Sequence, residues 1–299
     1  MGQERRDLLI EAFEDTMRMV KENTLLAQKT ETMQAGTLLY LPGFDARIHR
    51  EKSRDSEIEV VEDTTFHAAQ MLLEEGAGAG QPADTQAAGE KGRVAVLNFA
   101  NAYHPGGGVK HGAMAQEECL CRSSNLYSGL TLPYLIRNYY KDNQRTTGDR
   151  GTDKVIWSPG VTVFKSDDAV PVMLDHFFEV DVLTCAAPYY DINKKHPIPL
   201  AQLEDVFYHR ILNILEVAVA NDVDSIVLGA FGCGAFNNPP GLVAEAFYRV
   251  LVEKQYRNYF RRIVFAIKKN DRKNTNLQAF RMVLTAEHER FSGLVTGRF

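Results

Sequence analysis

The chain has no apolar run approaching the roughly 18–20 residues that a helix needs to cross a bilayer, so no membrane partner is expected. It has only four cysteines, Cys119, Cys121, Cys185 and Cys233, with no CxxC spacing among them. That leaves neither a metal site nor a disulfide framework to argue for, and points to reduced, buried thiols. It has no basic surplus either: 34 Lys and Arg stand against 39 Asp and Glu, for a net charge of −5 and a pI near 5.9. Phosphate neutralisation dominates non-specific nucleic-acid affinity, so direct nucleic-acid binding is not expected. The two short basic runs, residues 257–262 and 268–273, read as solvated faces. No internal repeat is visible. The opening Met1-Gly2-Gln3-Glu4-Arg5-Arg6-Asp7 lacks a secretory apolar region, and Arg6 stands where a myristoylation motif needs Ser or Thr. A soluble, intracellular protein is expected, cytoplasmic, or nuclear if the source is a eukaryote.

What is present is ordinary globular composition over 299 residues, 44% hydrophobic and 24% charged, enough for one large core. Apolar residues at helical spacing predict an opening helix over 4–27, followed by strands at 36–40 and 57–60. A helix is predicted from Thr64 to Leu73, with Asp63 or Thr64 as its N-cap. Residues 74–92, rich in Gly, Ala and polar side chains, read as a flexible surface loop. Nearly continuous apolar strands follow at 94–99, 154–157, 161–164, 181–186, 225–229 and 262–267. Helices are predicted at 118–127, 134–140, 201–220, 241–253 and 276–288. Such strands suit a sheet covered on both faces. Their alternation with helices predicts an α/β fold, a three-layer α/β/α sandwich with a parallel or mixed sheet, over residues 1–299 as a single domain whose first 35 residues form a helical extension.

Two glycine loops each follow a buried strand. The first is Asn101-Ala102-Tyr103-His104-Pro105-Gly106-Gly107-Gly108, and eight residues after it Gln116-Glu117-Glu118 opens a helix. Consecutive glycines let backbone approach a ligand closely and adopt positive φ, and the carboxyl ends of strands are where open α/β sheets bind ligands. The second is Gly229-Ala230-Phe231-Gly232-Cys233-Gly234-Ala235-Phe236, whose N–H groups suit an anion such as a diphosphate. It is no Walker A loop, since no Gly-Lys-Ser/Thr follows, and no third glycine completes a dinucleotide fingerprint.

Together these residues resemble the poly(ADP-ribose) glycohydrolases, whose catalytic domain is a macrodomain. Pro105-Gly106-Gly107-Gly108 followed by Gln116-Glu117-Glu118 is similar to that family's signature. The segments 97–101, 182–188, 229–236 and 264–267 are similar to its compact, microbial-type branch, and the resemblance runs from about Asn23 onward. Tyr189 stands where the family has Asn.

The resemblance implies hydrolysis of the ribose–ribose O-glycosidic bond of poly(ADP-ribose), release of ADP-ribose, and a part in reversing ADP-ribosylation, as in the DNA damage response. It implies no cofactor and no metal. The partners would be the polymer, ADP-ribose and ADP-ribosylated proteins, and a monomer is expected. Glu118 would be the general acid and then the base. Adjacent carboxyls diverge by about 100° on a helix, too far to clamp one bond from both faces as paired glycosidase acids do, so Glu117 is expected to hold ribose hydroxyls instead. Burial and the charge of Glu117 favour a proton on the acid, whereas the helix N-terminus favours the anion. Asn101 would orient the ribose and Gln116 would support the site. Gly107 and Gly108 would meet the diphosphate together with Gly232, Cys233, Gly234 and Ala235, and Phe236 would be a platform against the second ribose or adenine. Phe236 or another wall would close the exit and favour removal of terminal units. His104 and His111 read as exposed loop residues. Cys233, with no base beside it, does not read as a nucleophile. Two other classes are weighed: a reader that binds ADP-ribose without cutting, which has no need of a second acid, and a phosphatase of ADP-ribose phosphates, which leaves the glutamate pair without a task.

Overall fold

The structure, a computed structural model, describes residues 2–44, 56–76, 92–146, 148–168, 170–269 and 274–285. Along the chain these form α1 (Gln3–Glu22), α2 (Thr24–Gly36), β1 (Leu38–Tyr40), β2 (Ile58–Val61), α3 (Thr65–Gly76), β3 (Arg93–Ala100), α4 (Gln116–Ser123), α5 (Leu126–Leu130), α6 (Pro133–Leu135), α7 (Lys141–Thr146), β4 (Val155–Lys165), β5 (Met173–Ala186), α8 (Leu200–Ala220), β6 (Val223–Leu228), α9 (Pro240–Tyr248), β7 (Arg262–Ala266) and α10 (Thr275–Leu284). The seven strands make one mixed sheet in the order β1-β4-β5-β3-β6-β7-β2. The pairs β5–β3, β3–β6, β6–β7 and β7–β2 are parallel, and β1 and β4 add an antiparallel margin.

Side chains alternate across the sheet, and in the central strands both faces are apolar. Ala95 and Leu97 of β3, with Ile226 and Leu228 of β6, pack under α8, α9 and α10. Val94 and Val96, with Val182, Val227 and Val264, pack under α3, α4 and α5. This is the expected three-layer sandwich. Its parallel strands direct all their carboxyl ends to one edge, and there the functional residues collect.

Several predicted boundaries differ, each for a local reason. The opening helix is two helices, because Asn23 leaves helical dihedrals and turns its side chain to accept the Leu26 N–H at 3.1 Å, ending α1 and capping α2. The strands predicted at 154–157 and 161–164 are one strand, β4, with a bulge at Pro159-Gly160. There Gly160 takes φ +61 and donates its N–H to Asp181 Oδ1 at 2.9 Å. Strand β5 starts eight residues earlier than predicted, since its first half is exposed and carries no continuous apolar run. The helix predicted at 118–127 is α4 and α5. The N-terminus of α3 is capped from afar: the Asp167 carboxylate accepts the Phe66 N–H at 2.8 Å and the Thr64 hydroxyl at 2.7 Å, while Asp63 accepts the Thr64 N–H and pairs with the His67 ring. Of the loop predicted at 74–92, residues 77–91 lie outside the described residues, as does the end of the last predicted helix beyond residue 285.

The edge that carries the site is tied to α8 by Arg210. Its guanidinium is buried, paired with Asp153 at 2.9 Å and donating to the Ala186 carbonyl, the last of β5, at 2.8 Å. Replacing Arg210 with Met strands a carboxylate and a carbonyl, and is expected to lower stability by about 2–4 kcal/mol. Urea unfolding measures this, and a loss under about 0.5 kcal/mol would contradict it.

Candidate active site

A cleft of about 560 Å³ opens along the carboxyl edge of the parallel strands. Its walls are residues that follow β2 (Asp63, Thr64), β3 (Asn101), β6 (Gly232, Gly234, Ala235, Phe236) and β7 (Lys268, Lys269), closed by the first turn of α4. Strand β6 pairs with β3 only as far as Val96, so the β3 backbone beyond it needs other partners. Gln116 supplies them. Its Oε1 accepts the Phe99 N–H at 2.8 Å, and its Nε2 donates to the Leu97 carbonyl at 2.7 Å and to Thr65 Oγ1 at 3.0 Å. The amide thus splices α4 onto β3 and sets where the next two residues point.

Glu117 is buried and turned into the first glycine loop. Its Oε2 accepts the Asn101 N–H at 2.7 Å, and its Oε1 accepts the Gly106 N–H at 3.1 Å, with Asn98 Nδ2 at 3.5 Å. Glu118 is also buried, but only its Oε1 is engaged, by the Gly108 N–H at 2.8 Å; its Oε2 has no partner among the described residues. Gly107 lies across both acids at φ +55, and a Cβ there would sit 2.4 Å from Glu118 Oε1. Asn101 uses its side-chain oxygen to accept the Tyr103 and His104 N–H groups at 2.8 and 3.0 Å. Its amide nitrogen makes no hydrogen bond among the described residues.

The glycine run therefore has a different task from the one expected. The N–H groups of Gly106 and Gly108 are held by Glu117 and Glu118, and that of Gly107 by the His104 carbonyl at 3.0 Å. None is left to face a diphosphate in this arrangement: Gly106 and Gly108 bind the carboxylates, and Gly107 closes the turn onto His104. In the second loop the Cys233 N–H is spent on the Ala230 carbonyl at 3.0 Å. Those of Gly234, Ala235 and Phe236 make no hydrogen bond among the described residues, and these three residues line the cleft with Gly232. Gly232 takes φ +74, and a Cβ there would meet Ala187 at 2.5 Å. Phe236 is braced by Tyr189, edge-on with ring centroids 6.3 Å apart, and by the Tyr190 N–H on its carbonyl at 2.9 Å.

Sequence reasoning missed the far half of the cleft, Asp63, Thr64, Asp167, Lys268, Lys269 and Asn276. The signal was available for Lys268 and Lys269, which directly follow an apolar strand, although their charge suggested a solvated face; they are exposed and line the cleft. Asp167 carries no local signal, being brought in by its contact with α3. His104 and His111 are exposed as expected. Burial pushes the thiols of Cys119 and Cys233 up, so neither is a thiolate near neutral pH.

Burial pushes the Glu117 carboxyl up to about 8, with the charge of Glu118 adding, while the N–H groups of Asn101 and Gly106 and the Asn98 amide pull it down. Folded protein then holds a proton that the unfolded chain has lost above its usual value of 4.5. Stability must fall as pH rises between those two values, by up to a few kcal/mol. The variant Glu117→Gln has no such titration, so its stability relative to wild type should rise from pH 5 to pH 8.5 in chemical denaturation. Parallel pH profiles would contradict this.

Known proteins bear on the site at this point. Residues 10–166 match the family model of the microbial-type PARG (poly(ADP-ribose) glycohydrolase) catalytic domain. A solved poly(ADP-ribose) glycohydrolase from Deinococcus radiodurans, in complex with ADP-ribose, is 34% identical with a TM-score of 0.73, over 85% of this chain and 96% of that one. The enzyme from Thermomonospora curvata is 31% identical with a TM-score of 0.76, over 93% of this chain and 98% of that one. The same enzyme bound to the inhibitor ADP-HPD is 30% identical, with a TM-score of 0.72 over the same shares, 93% and 98%. No protein with a curated description matches. With the signature loop closed on two buried glutamates and a matching fold along most of its length, the chain belongs to the microbial-type poly(ADP-ribose) glycohydrolases.

Proposed function

We propose that the chain hydrolyses the ribose–ribose O-glycosidic bond of poly(ADP-ribose) and releases ADP-ribose, with Glu118 as the general acid and then the base. One observation carries this reading: Glu118 Oε2 is buried, lines the cleft and has no partner among the described residues, whereas its twin oxygen is fixed by Gly108. A buried carboxylate oxygen without a donor is costly and is matched by the proton-bearing oxygen of a bound sugar. Burial raises the Glu117 carboxyl, with the neighbouring Glu118 charge adding, so the site holds a proton near neutral pH.

In the reaction Glu118 gives its proton to the leaving ribose oxygen as the bond to the anomeric carbon breaks. The resulting carboxylate then takes a proton from the water that adds to the oxocarbenium-like carbon. Glu117 holds the loop by Asn101 and Gly106, and the remaining lone pairs of its oxygens suit the ribose hydroxyls. Asn101 presents its amide nitrogen to the same sugar. The diphosphate is met by the N–H groups of Gly234, Ala235 and Phe236, and Lys268 and Lys269 add positive charge at the far end. Phe236, braced by Tyr189, walls the cleft, which supports removal of terminal units over internal cuts. ADP-ribosylated proteins are the partners this substrate requires. The cleft is built from one chain, which supports a monomer, and the four free thiols support a reducing, intracellular setting.

Incubated with poly(ADP-ribose), wild type should release ADP-ribose monomers from the outset. The Glu118→Gln variant should lose about 10³-fold in kcat while still binding ADP-ribose in calorimetry. Retained turnover would overturn the acid/base assignment, and binding by wild type without turnover would leave a reader. Early appearance of oligomers would overturn terminal action. The Gly107→Ala variant, whose new methyl meets Glu118 Oε1, should remain folded and lose about 10²-fold in kcat. Wild-type rates from this variant would show that the carboxylate position does not limit the reaction.

A further inference from the structure

Arg122 is wholly buried in α4, yet no carboxylate pairs with it among the described residues. The other buried cations are neutralised, Arg210 by Asp153 and Lys165 by Asp15. The Arg122 guanidinium donates to the Ala113 carbonyl at 2.6 Å and to Cys119 Sγ at 3.5 Å, and its Nε has no partner among the described residues. A buried charge without a counter-ion is costly, so its position matters. It lies four residues after Glu118, on the same face of the helix, with Cβ atoms about 5–6 Å apart in such a pair.

A chain of hydrogen bonds joins the two by the other route. The Ala113 carbonyl held by Arg122 belongs to a residue whose N–H binds the Gly108 carbonyl at 3.2 Å, and the Gly108 N–H binds Glu118 Oε1. The ring is closed by α4 itself. Helix α1 clamps it from outside, since the Thr16 hydroxyl donates to the Arg122 carbonyl and Arg6 Nε donates to the His111 carbonyl at 2.8 Å.

We propose that Arg122 is the positioning residue of the reaction: its guanidinium fixes residues 108–113 so that Gly108 engages one Glu118 oxygen and leaves the other to the substrate, and its charge favours the Glu118 carboxylate formed once the proton has left. The inference rests on the acid/base reading of Glu118. The groups that share this environment are Glu117, Cys119 and Cys121 on the same helix and Tyr140 behind them. Asp167 and Lys268 face Cys119, and the Lys165–Asp15 pair stands beside Thr16.

The test compares Arg122→Met, Arg122→Lys and Glu118→Gln on poly(ADP-ribose) from pH 5 to pH 9, with ADP-ribose affinity by calorimetry and melting by circular dichroism. Arg122→Met should lose about 10²-fold in kcat with KM and ADP-ribose affinity within about threefold. Its pH–rate profile should move up by about one unit, because a cation beside the acid is gone. Arg122→Lys should restore the position of the profile but only part of the rate, lacking the fork. If the Met variant does not fold, the Lys variant decides. An unmoved profile with partial rate supports the proposal, and wild-type rates overturn it. A Met variant with an unmoved profile and losses that follow stability alone also overturns it, leaving a packing role. Should Glu118→Gln keep wild-type turnover, the acid/base reading falls first. Should it be dead while both Arg122 variants behave as wild type, only the role of Arg122 falls.

Discussion

Two adjacent buried glutamates hold a glycine loop by its backbone, and that contact organises the whole edge of the sheet. Glu117 takes the N–H groups of Asn101 and Gly106, and Glu118 takes that of Gly108. The loop can lie so close only because Gly106 and Gly107 accept positive φ and carry no Cβ. The splice of Gln116 onto β3 sets the start of α4, and the start of α4 sets both carboxylates. What results is an asymmetric pair: one acid fully engaged by the protein, the other with one oxygen still to be satisfied. Adjacent acids of similar chemistry are thus set apart by their hydrogen bonds.

The same asymmetry explains how an acidic chain suits an anionic ligand. A net charge of −5 offers no general attraction. On the proposed reading attraction comes instead from N–H groups after β6 and from lysines after β7, on strands whose parallel direction brings both to the cleft. Positive charge is also spent inside, where Arg122 lies buried one turn after Glu118 and holds the Ala113 carbonyl, and Arg210 ties the end of β5. The N-terminal helices are part of this arrangement, since α1 holds both Arg122 and the His111 carbonyl.

Much of this was legible in the chain. Continuous apolar strands alternating with amphipathic helices specify a covered sheet, and both glycine loops fall at the ends of its strands. That Glu118 and Phe236 line one cleft follows from the motif and its resemblance. What could not be read was direction. A glycine run says that backbone comes close to something, but not whether its N–H groups face a ligand or, as for Gly106 and Gly108, a carboxylate of the same protein. Contacts between distant segments were equally hidden, such as Asp167 capping α3 and Arg122 reaching Ala113, because neither leaves a periodic or local mark. Boundaries failed where one residue does two things, as Asn23 does in ending one helix and capping the next.

The open oxygen of Glu118 is tested most directly by a crystal structure of the chain with ADP-ribose bound. The account predicts Glu118 Oε2 within about 3.2 Å of the hydroxyl on the anomeric carbon of the distal ribose, with Gly108 still donating to Oε1. A complex in which that oxygen faces away from the sugar, or in which Glu117 leaves the loop to take its place, would contradict it.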